Sequence, residues 1–143
     1  ELVESTAKNL QSLGQAYQIA QDVDDAIPIL EEAGTLSDDG EINSRLSQLY
    51  LEKDQYKKCT DAADSALEKG VDREYNTEIV LGMCLFNRDR LTQARKTFVT
   101  ARRHARADKN ESVERICNQW ITYIDRDRIR RDELAKAEAE FAG

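Results

Sequence analysis

The chain has 143 residues, enough for one domain that buries roughly two-thirds of its unfolded surface. Hydrophobic residues make up 40% and charged residues 34%, with one Pro and six Gly, which argues against disorder and against a many-stranded sheet. The net charge is −7, yet residues 1–74 carry 17 acidic and 7 basic side chains, whereas residues 75–143 carry 11 and 14. The composition, with its few turn residues, therefore predicts an all-α protein. No apolar run is long enough to span a membrane.

Hydrophobic periodicity and cap residues predict three pairs of helices and a longer seventh helix. A frayed lead-in is expected at residues 1–6. The first helix is predicted at about residues 7–20, and the second begins after Asp22 or Asp24 and ends before a turn at 37–40. The next four helices are predicted at 41–51, 55–67, 75–86 and 91–105, and the last one begins after Asn110. The predicted caps are Ser5 or Thr6, Asp38 in a capping box with Glu41, Asp54 and Asp89, with Gly70 as a stop signal. Pro28 is expected in the first turn of its helix, where it costs little.

Six positions with small or apolar residues recur in the three pairs of helices. They are Leu13, Gly14, Tyr17, Ala26, Leu30 and Ala33; then Leu46, Ser47, Tyr50, Cys59, Ala63 and Ala66; then Leu81, Gly82, Leu85, Ala94, Phe98 and Ala101. A glycine inside a helix costs about 1 kcal/mol relative to alanine, and close approach of the second helix gives a reason for Gly14. The mean period of 34 residues is the spacing of a tetratricopeptide repeat.

These positions resemble the tetratricopeptide repeat (TPR) family over about residues 7–107. The resemblance implies a right-handed α-solenoid of three helical hairpins, at about 7–39, 40–74 and 75–109, and a capping helix over 110–143. Two positions of the family pattern differ: its Trp is replaced by Leu10, Asn43 and Glu78, and its late Pro by Asp38, Val71 and Arg106. These differences concern the turns between repeats more than the fold.

The last helix is expected to cover the open face of the third hairpin. Its predicted apolar face consists of Val113, Ile116, Cys117, Trp120, Tyr123 and Ile124. From Asp125 onward the helix is mostly charged, with Ile129, Leu134 and Phe141 as exceptions. This charged extension either projects beyond the domain or lies on a partner.

The resemblance also implies a concave groove lined by the first helix of each hairpin, in which members of the family bind extended peptides or partner helices. The corresponding residues here are Lys8, Gln11, Gln15, Gln18, Ser44, Arg45, Gln48, Leu51, Glu52, Asn76, Ile79, Met83 and Phe86. Chaperone-binding members grip a terminal carboxylate with Lys, Asn and Arg, but Gln11 and Gln15 stand at two of those positions, so a chaperone tail is not expected. Ile79, Met83 and Phe86 either contact a partner or pack against the capping helix.

A narrower resemblance links the chain to bacterial envelope TPR proteins associated with TonB-type energy-transduction systems. It lies in the runs LSQLYLEKDQYKKCTDAADSALEKG, LGMCLFNRDRLTQARKTFVTA and NQWITYIDRDRIRRDEL, and above all in Trp120, Tyr123, Ile124, Arg130, Arg131 and Leu134. It implies a periplasmic scaffold whose signal peptide has been removed and whose partners belong to a TonB-type system. The cytoplasm is the alternative location.

Catalytic, cofactor and metal chemistry are not expected. The single histidine, His104, lies among Arg102, Arg103 and Arg106 and is predicted to be a solvated surface residue. Neither a phosphate-binding glycine loop nor a calcium loop occurs. Cys59, Cys84 and Cys117 lack metal-site spacing, so buried free thiols are expected, with a Cys84–Cys117 disulfide as the alternative.

The sequence thus predicts a non-catalytic module that binds a protein or peptide in the concave groove. Self-association through Trp120 and the charged tail is one alternative. Nucleic-acid binding is another, because residues 88–109 hold eight Lys or Arg and two Asp. A solvated helix face is the favoured interpretation of this segment, because runs of charge usually are solvated faces. The acidic remainder of the protein would also repel phosphates, so nucleic acid is not the expected partner.

Overall fold

A computed structural model describes residues 2–143, which form seven α-helices and no strand. Their bounds are α1 Leu2–Ile19, α2 Val23–Leu36, α3 Gly40–Glu52, α4 Tyr56–Lys69, α5 Glu74–Asn87, α6 Leu91–Ala107 and α7 Glu111–Ala142. Helices α1 and α2, α3 and α4, and α5 and α6 pack as three successive hairpins, and α7 packs on α6. The predicted all-α architecture is confirmed. Within the described range, no helix is long and apolar enough to cross a membrane.

The three hairpins close through the same turn. Gln21, Asp54 and Asp89 adopt left-handed backbone conformations with φ of 62°, 57° and 62°. The next residue in each case donates its N–H to a carbonyl five residues back, at 2.8 to 2.9 Å, as in a helix-ending Schellman motif. Asp54 and Asp89 therefore belong to the turns that follow α3 and α5, and their prediction as caps of the following helices was wrong.

Two predicted helix starts need correction. Helix α1 begins at Leu2 rather than Ala7, so the described part of the predicted lead-in is helical, and the Thr6 hydroxyl donates to the Leu2 carbonyl at 2.8 Å instead of capping the helix. Helix α3 is capped by Asp39, not Asp38, because the Asp39 carboxylate accepts the Glu41 N–H at 3.0 Å. A carboxylate one residue closer to the first turn reaches an unpaired N–H there.

Helix α2 begins after Asp22, which accepts the Asp25 N–H at 3.4 Å, in agreement with one of the two predicted caps. Pro28, however, lies inside the helix beyond its first turn. Its ring nitrogen cannot donate to the Asp24 carbonyl, so the helix gives up one internal hydrogen bond.

The recurring positions form the core of the stack. Those contributed by the second helices are fully buried: Ala26, Leu30, Ala33, Cys59, Ala63, Ala66, Ala94, Phe98 and Ala101. A Cβ on Gly14 would lie 2.5 Å from Leu30 Cγ, and a Cβ on Gly82 would lie 2.7 Å from Phe98 Cζ. The glycines are therefore required by close approach of the paired helices, as predicted.

Leu13 is the exception among the recurring positions. It is 47% exposed, whereas its counterparts Leu46 and Leu81 are 5% and 8% exposed. Leu46 and Leu81 are covered where one hairpin packs on the next. Within residues 2–143 no hairpin packs on the outer side of α1, so Leu13 faces solvent.

Helix α7 closes the stack by burying Cys117, Ile121 and Ile124. The prediction placed Ile116 and Tyr123 on this face, but they are 41% and 54% exposed. The buried face is rotated relative to the predicted one, because Ile121 rather than Tyr123 packs inward against the cluster of α5 and α6 side chains.

The charged extension of α7 has two parts. Its first part is held to the domain by ion pairs from Asp125 to Arg95, at 2.8 Å, and from Arg131 to Asp89, at 2.6 Å. Asp127 is buried there and pairs with Arg131 Nε at 2.8 Å. Residues 132–142 continue the helix with exposed side chains, so only this second part projects from the domain.

A disulfide joins Cys59 of α4 to Cys84 of α5, with 6.3 Å between their Cα atoms. Both residues are fully buried, and the bond ties the second hairpin to the third. The prediction of three free thiols was therefore wrong for this pair. The Cys84–Cys117 alternative was also wrong, because Cys84 faces α4 and Cys117 remains a free, buried thiol. Burial raises the pKa of the Cys117 thiol to about 11.

Candidate functional site

The predicted groove residues lie on α1, α3 and α5, where the repeat register places them. Lys8, Glu52 and Asn76 are exposed, and Ser44 is buried. The half-buried members are Gln11, Gln15, Gln18, Arg45, Gln48, Leu51, Ile79, Met83 and Phe86. Half-burial leaves one side of a residue packed and the other accessible, which is the arrangement required of a groove wall.

The section of the groove on α1 and α3 is rich in primary amides. Arg45 Nη1 donates to Gln18 Oε1 at 3.4 Å and so connects the two helices. Below this section, the Ser44 and Thr77 hydroxyls are hydrogen bonded at 2.8 Å. Ser44 therefore joins α3 to α5 rather than facing a partner. The amides of Gln11, Gln15, Gln18 and Gln48 can each both donate and accept, which suits an extended peptide backbone.

The section of the groove on α5 is apolar. Ile79, Met83 and Phe86 pack on the cluster that includes Phe98 of α6 and Ile124 of α7. Phe86 contacts the capping helix through Trp120 and Tyr123, while part of each of the three side chains stays accessible. Packing of these residues within the domain is therefore observed, and their contact with a partner stays a prediction.

An aromatic pocket forms where this apolar section meets α7. The Phe86 ring makes edge contacts with Trp120 at 5.5 Å and Tyr123 at 5.4 Å between ring centroids. The pocket has a volume of about 320 Å³ and is lined by Phe86, Asn87, Gln119, Trp120 and Tyr123. Trp120 also stacks on the buried Phe98 ring at 5.2 Å, with 4° between the ring planes. One wall of the pocket is therefore fixed by the core.

The α7 side of this pocket was missed by the sequence-based site prediction. The repeat register ends before α7, so it assigned no groove positions to Gln119, Trp120 or Tyr123. The exposed aromatic Tyr123 three residues after the only tryptophan was the available signal. It was assigned to the packed face instead.

The basic segment at residues 88–109 is partly neutralised within the domain. Arg95 pairs with Asp125 at 2.8 Å, and Arg106 pairs with Glu114 at 2.5 Å. Arg88 donates to the Thr60 hydroxyl and Arg102 to the Asn118 amide oxygen, both at 2.9 Å. These side chains connect α6 and the preceding turn to neighbouring helices, which is a structural role.

His104 is not the solvated residue that the sequence predicted. Its Nδ1 lies 2.7 Å from Glu78 Oε1 and 3.9 Å from Glu74 Oε2, and Glu78 is only 6% exposed. The helical pairing of α5 and α6 brings these residues together. Their ligand atoms all lie within 4.8 Å of one another, and imidazole with carboxylates is a zinc-type donor set. The direct hydrogen bond already gives Glu78 a partner.

Burial raises the pKa of Glu78, and the neighbouring His104 opposes that rise. A carboxyl whose folded-state pKa is raised contributes stability below its unfolded-state pKa and loses that contribution as the pH rises through the folded value. We therefore expect the wild-type protein to lose stability relative to Glu78→Gln as the pH rises above about 4, the ordinary pKa of a glutamate. Thermal unfolding followed by circular dichroism measures the difference.

Glu133→Gln is the matched control for this experiment, because it makes the same change at an exposed position of α7. It should follow the wild-type curve across the pH range. Parallel curves for wild type and Glu78→Gln would contradict a destabilising buried carboxylate.

No protein-family model and no curated protein sequence matches the chain. Several solved structures share its fold. The TPR2B domain of yeast Sti1, in a complex with pHsp70, has a TM-score of 0.77 and 16% identity over 86% of this chain and 98% of that domain. A type III secretion complex from Aeromonas hydrophila has a TM-score of 0.79 and 17% identity, covering 87% and 83%. PcrH from Pseudomonas aeruginosa has a TM-score of 0.75 and 19% identity, covering 85% and 92%.

These similarities confirm the predicted fold, a tetratricopeptide repeat solenoid of three hairpins and a terminal helix. At such low identity they concern the fold alone. The residues that contact a partner must therefore be inferred from the groove itself.

Proposed function

We propose that this domain is a non-catalytic interaction module that holds a segment of a partner protein in its concave groove. The observation that carries the proposal is that the first helices of successive hairpins present two chemically different sections, with α3 packed against α5. A row of amides on α1 and α3 leads into the apolar section of α5, which ends at the aromatic pocket. Such a surface recognises a peptide backbone at one end and an apolar side chain at the other.

Proteins of the same fold give this proposal support. The Sti1 domain is described in a complex with pHsp70, and SycD from Yersinia enterocolitica is a type III secretion translocator chaperone with a TM-score of 0.77 to this chain. Some proteins of this fold therefore bind a protein or a peptide. Gln11 argues against a chaperone tail as the ligand here, because it places a neutral amide where the clamp has a lysine, and a neutral amide attracts a terminal carboxylate less than lysine does. Gln15 also differs from the asparagine of the clamp.

The apolar side chain of the partner would enter the aromatic pocket beside Phe86 and Trp120. The rigid stacking of Trp120 on Phe98 limits the entropy lost when a ligand binds. The amides of Gln15 and Gln48 would pair with the backbone of the partner at the other end of the groove.

An oxidising compartment is the location that we propose. The Cys59–Cys84 disulfide is buried between two hairpins, and structural disulfides persist in secreted and periplasmic proteins but are rare in the cytosol. This agrees with the periplasm implied by the narrower sequence resemblance. The periplasmic location and the assignment of TonB-type components as partners both stay predictions.

Binding through the amide section can be tested with peptides selected on the immobilised domain from a displayed random library. We expect Gln15→Ala combined with Gln48→Ala to weaken the selected peptides about tenfold or more, because each lost hydrogen bond costs roughly 1 kcal/mol. Fluorescence anisotropy of labelled peptides gives the dissociation constants. Met83→Glu, which places a charge in the apolar section, should weaken the same peptides.

Gln93→Ala serves as the control, since Gln93 is exposed on α6 and belongs to a second helix rather than to the groove. It should bind the peptides as the wild type does. Unchanged affinity in all the groove variants would reject the concave groove as the binding site.

Nucleic-acid binding through residues 88–109 is a less favoured function. The pairing of Arg95 and Arg106 with carboxylates reduces the positive charge that phosphates would meet.

A further inference from the structure

Helix α7 carries a stripe of exposed apolar side chains along one face. Ile116, Tyr123, Leu134 and Phe141 are 41%, 54%, 58% and 95% exposed. Their spacings of 7, 11 and 7 residues correspond to about two, three and two turns of a helix, so they stay within roughly 20° of one line. The buried face of α7, at Cys117 and Ile121, points elsewhere. We call this row of four side chains the α7 stripe.

The charge along α7 changes sign in the middle of the α7 stripe. Residues 126–131 contain four arginines and one aspartate, whereas residues 132–143 contain four carboxylates and one lysine. The boundary lies between Arg131 and Asp132, which is also the midpoint between Tyr123 and Phe141. A helix with this pattern is complementary to a second copy of itself in the antiparallel direction.

The acidic part of α7 cannot reach the aromatic pocket of its own chain. Residues 111–142 form one continuous helix, so Phe141 lies about 27 Å along the axis from Tyr123. Phe141 is nonetheless almost wholly exposed, which is unusual for so large an apolar side chain. A second molecule is therefore the occupant that the geometry favours.

We propose that two copies of this chain associate through antiparallel α7 helices, with Phe141 of each copy placed against the aromatic pocket of the other. A twofold axis near residue 132 brings the pocket of one molecule to the Phe141 end of its partner, in both directions at once. The same axis sets the arginine-rich residues 126–131 beside the acidic half of the partner helix. Leu134 then packs on the aliphatic part of the Arg130 side chain.

This interface fills the aromatic pocket, where the apolar side chain of a bound peptide would also enter, and leaves the amide section on α1 and α3 open. Dimerisation and peptide binding therefore compete for the pocket, but neither requires the other. Failure of one leaves the other intact, because the peptide experiment tests Gln15 and Gln48 and the dimer experiment tests Phe141.

Sedimentation equilibrium of the full 143-residue chain, at concentrations up to about 200 μM, tests the proposal. We expect the wild type to dimerise and the dimer to weaken with added salt, as an interface with complementary charges should. Phe141→Ser should weaken the dimer at least tenfold. The substitution is at an exposed site, so circular dichroism should show unchanged helix content.

Ile129→Ser is the matched control. Ile129 is 59% exposed on the same helix, but its position is about 140° around the helix from Ile116 and thus off the α7 stripe. The control should dimerise as the wild type does. A monomeric wild type, a dimer that survives Phe141→Ser, or equal loss in Ile129→Ser would overturn the proposal.

A charge exchange tests the direction of pairing. Arg126→Glu with Arg130→Glu makes residues 126–131 acidic like residues 132–143. Glu133→Arg with Glu138→Arg makes residues 132–143 basic like residues 126–131. Each double variant alone should be monomeric, while an equimolar mixture should form a heterodimer. A mixture that stays monomeric would reject the antiparallel arrangement.

Discussion

Replacing Cys59 and Cys84 together with alanine is expected to lower the free energy of unfolding by about 3 kcal/mol. The disulfide joins residues 25 positions apart, and closing a loop of that length restricts the unfolded chain. The bond also fixes α4 against α5, the contact between the second and third hairpins. Equilibrium unfolding in urea, followed by circular dichroism, gives the difference.

A reductant supplies the control for this experiment. Dithiothreitol present throughout the unfolding transition should destabilise the wild type but leave the double alanine variant unchanged. Cys117 is a free thiol in both proteins, so it contributes equally. A wild-type transition that is insensitive to reductant would show that the disulfide is not present in solution.

Phe98→Ala is expected to lower the free energy of unfolding by about 3 to 5 kcal/mol, the usual cost of deleting a fully buried aromatic ring. Phe98 has no exposed surface, lies against the backbone of Gly82 and stacks on Trp120. Its removal opens a cavity between α5, α6 and α7. Urea unfolding followed by tryptophan fluorescence reports this directly, because Trp120 is the only tryptophan.

Ile19→Ala is the control for Phe98→Ala, since Ile19 is 76% exposed near the end of α1. We expect it to change stability by no more than about 0.5 kcal/mol. A Phe98→Ala variant within 1 kcal/mol of the wild type would contradict the role of this ring at the junction of three helices.

The caps show why local sequence did not settle the turns. Aspartate is favoured both before a helix and in the left-handed conformation after one. Asp22 takes the first role, while Asp54 and Asp89 take the second. The local sequence is compatible with both roles of aspartate. The hydrogen bonds at the end of the preceding helix determine which role is adopted.

The candidate site was predictable to the extent that it follows the repeat register. Gln15, Gln48 and Met83 lie on the first helices of the hairpins because the same positions recur every 33 to 35 residues. The aromatic pocket depends instead on how α7 is rotated against α5. That rotation is set by the packing of Ile121 and Ile124, which no repeat specifies.

The sequence by itself determined the solenoid of three hairpins, because the small residues at Gly14 and Gly82 and the large ones opposite them recur at a fixed period and pack locally. Only the tertiary structure decided which distant side chains meet: Cys59 with Cys84, Glu78 with His104, and Phe86 with Tyr123. Such pairs depend on the rotation of one helix against another. A period along the chain fixes which face of a helix is buried but not which side chain lies opposite.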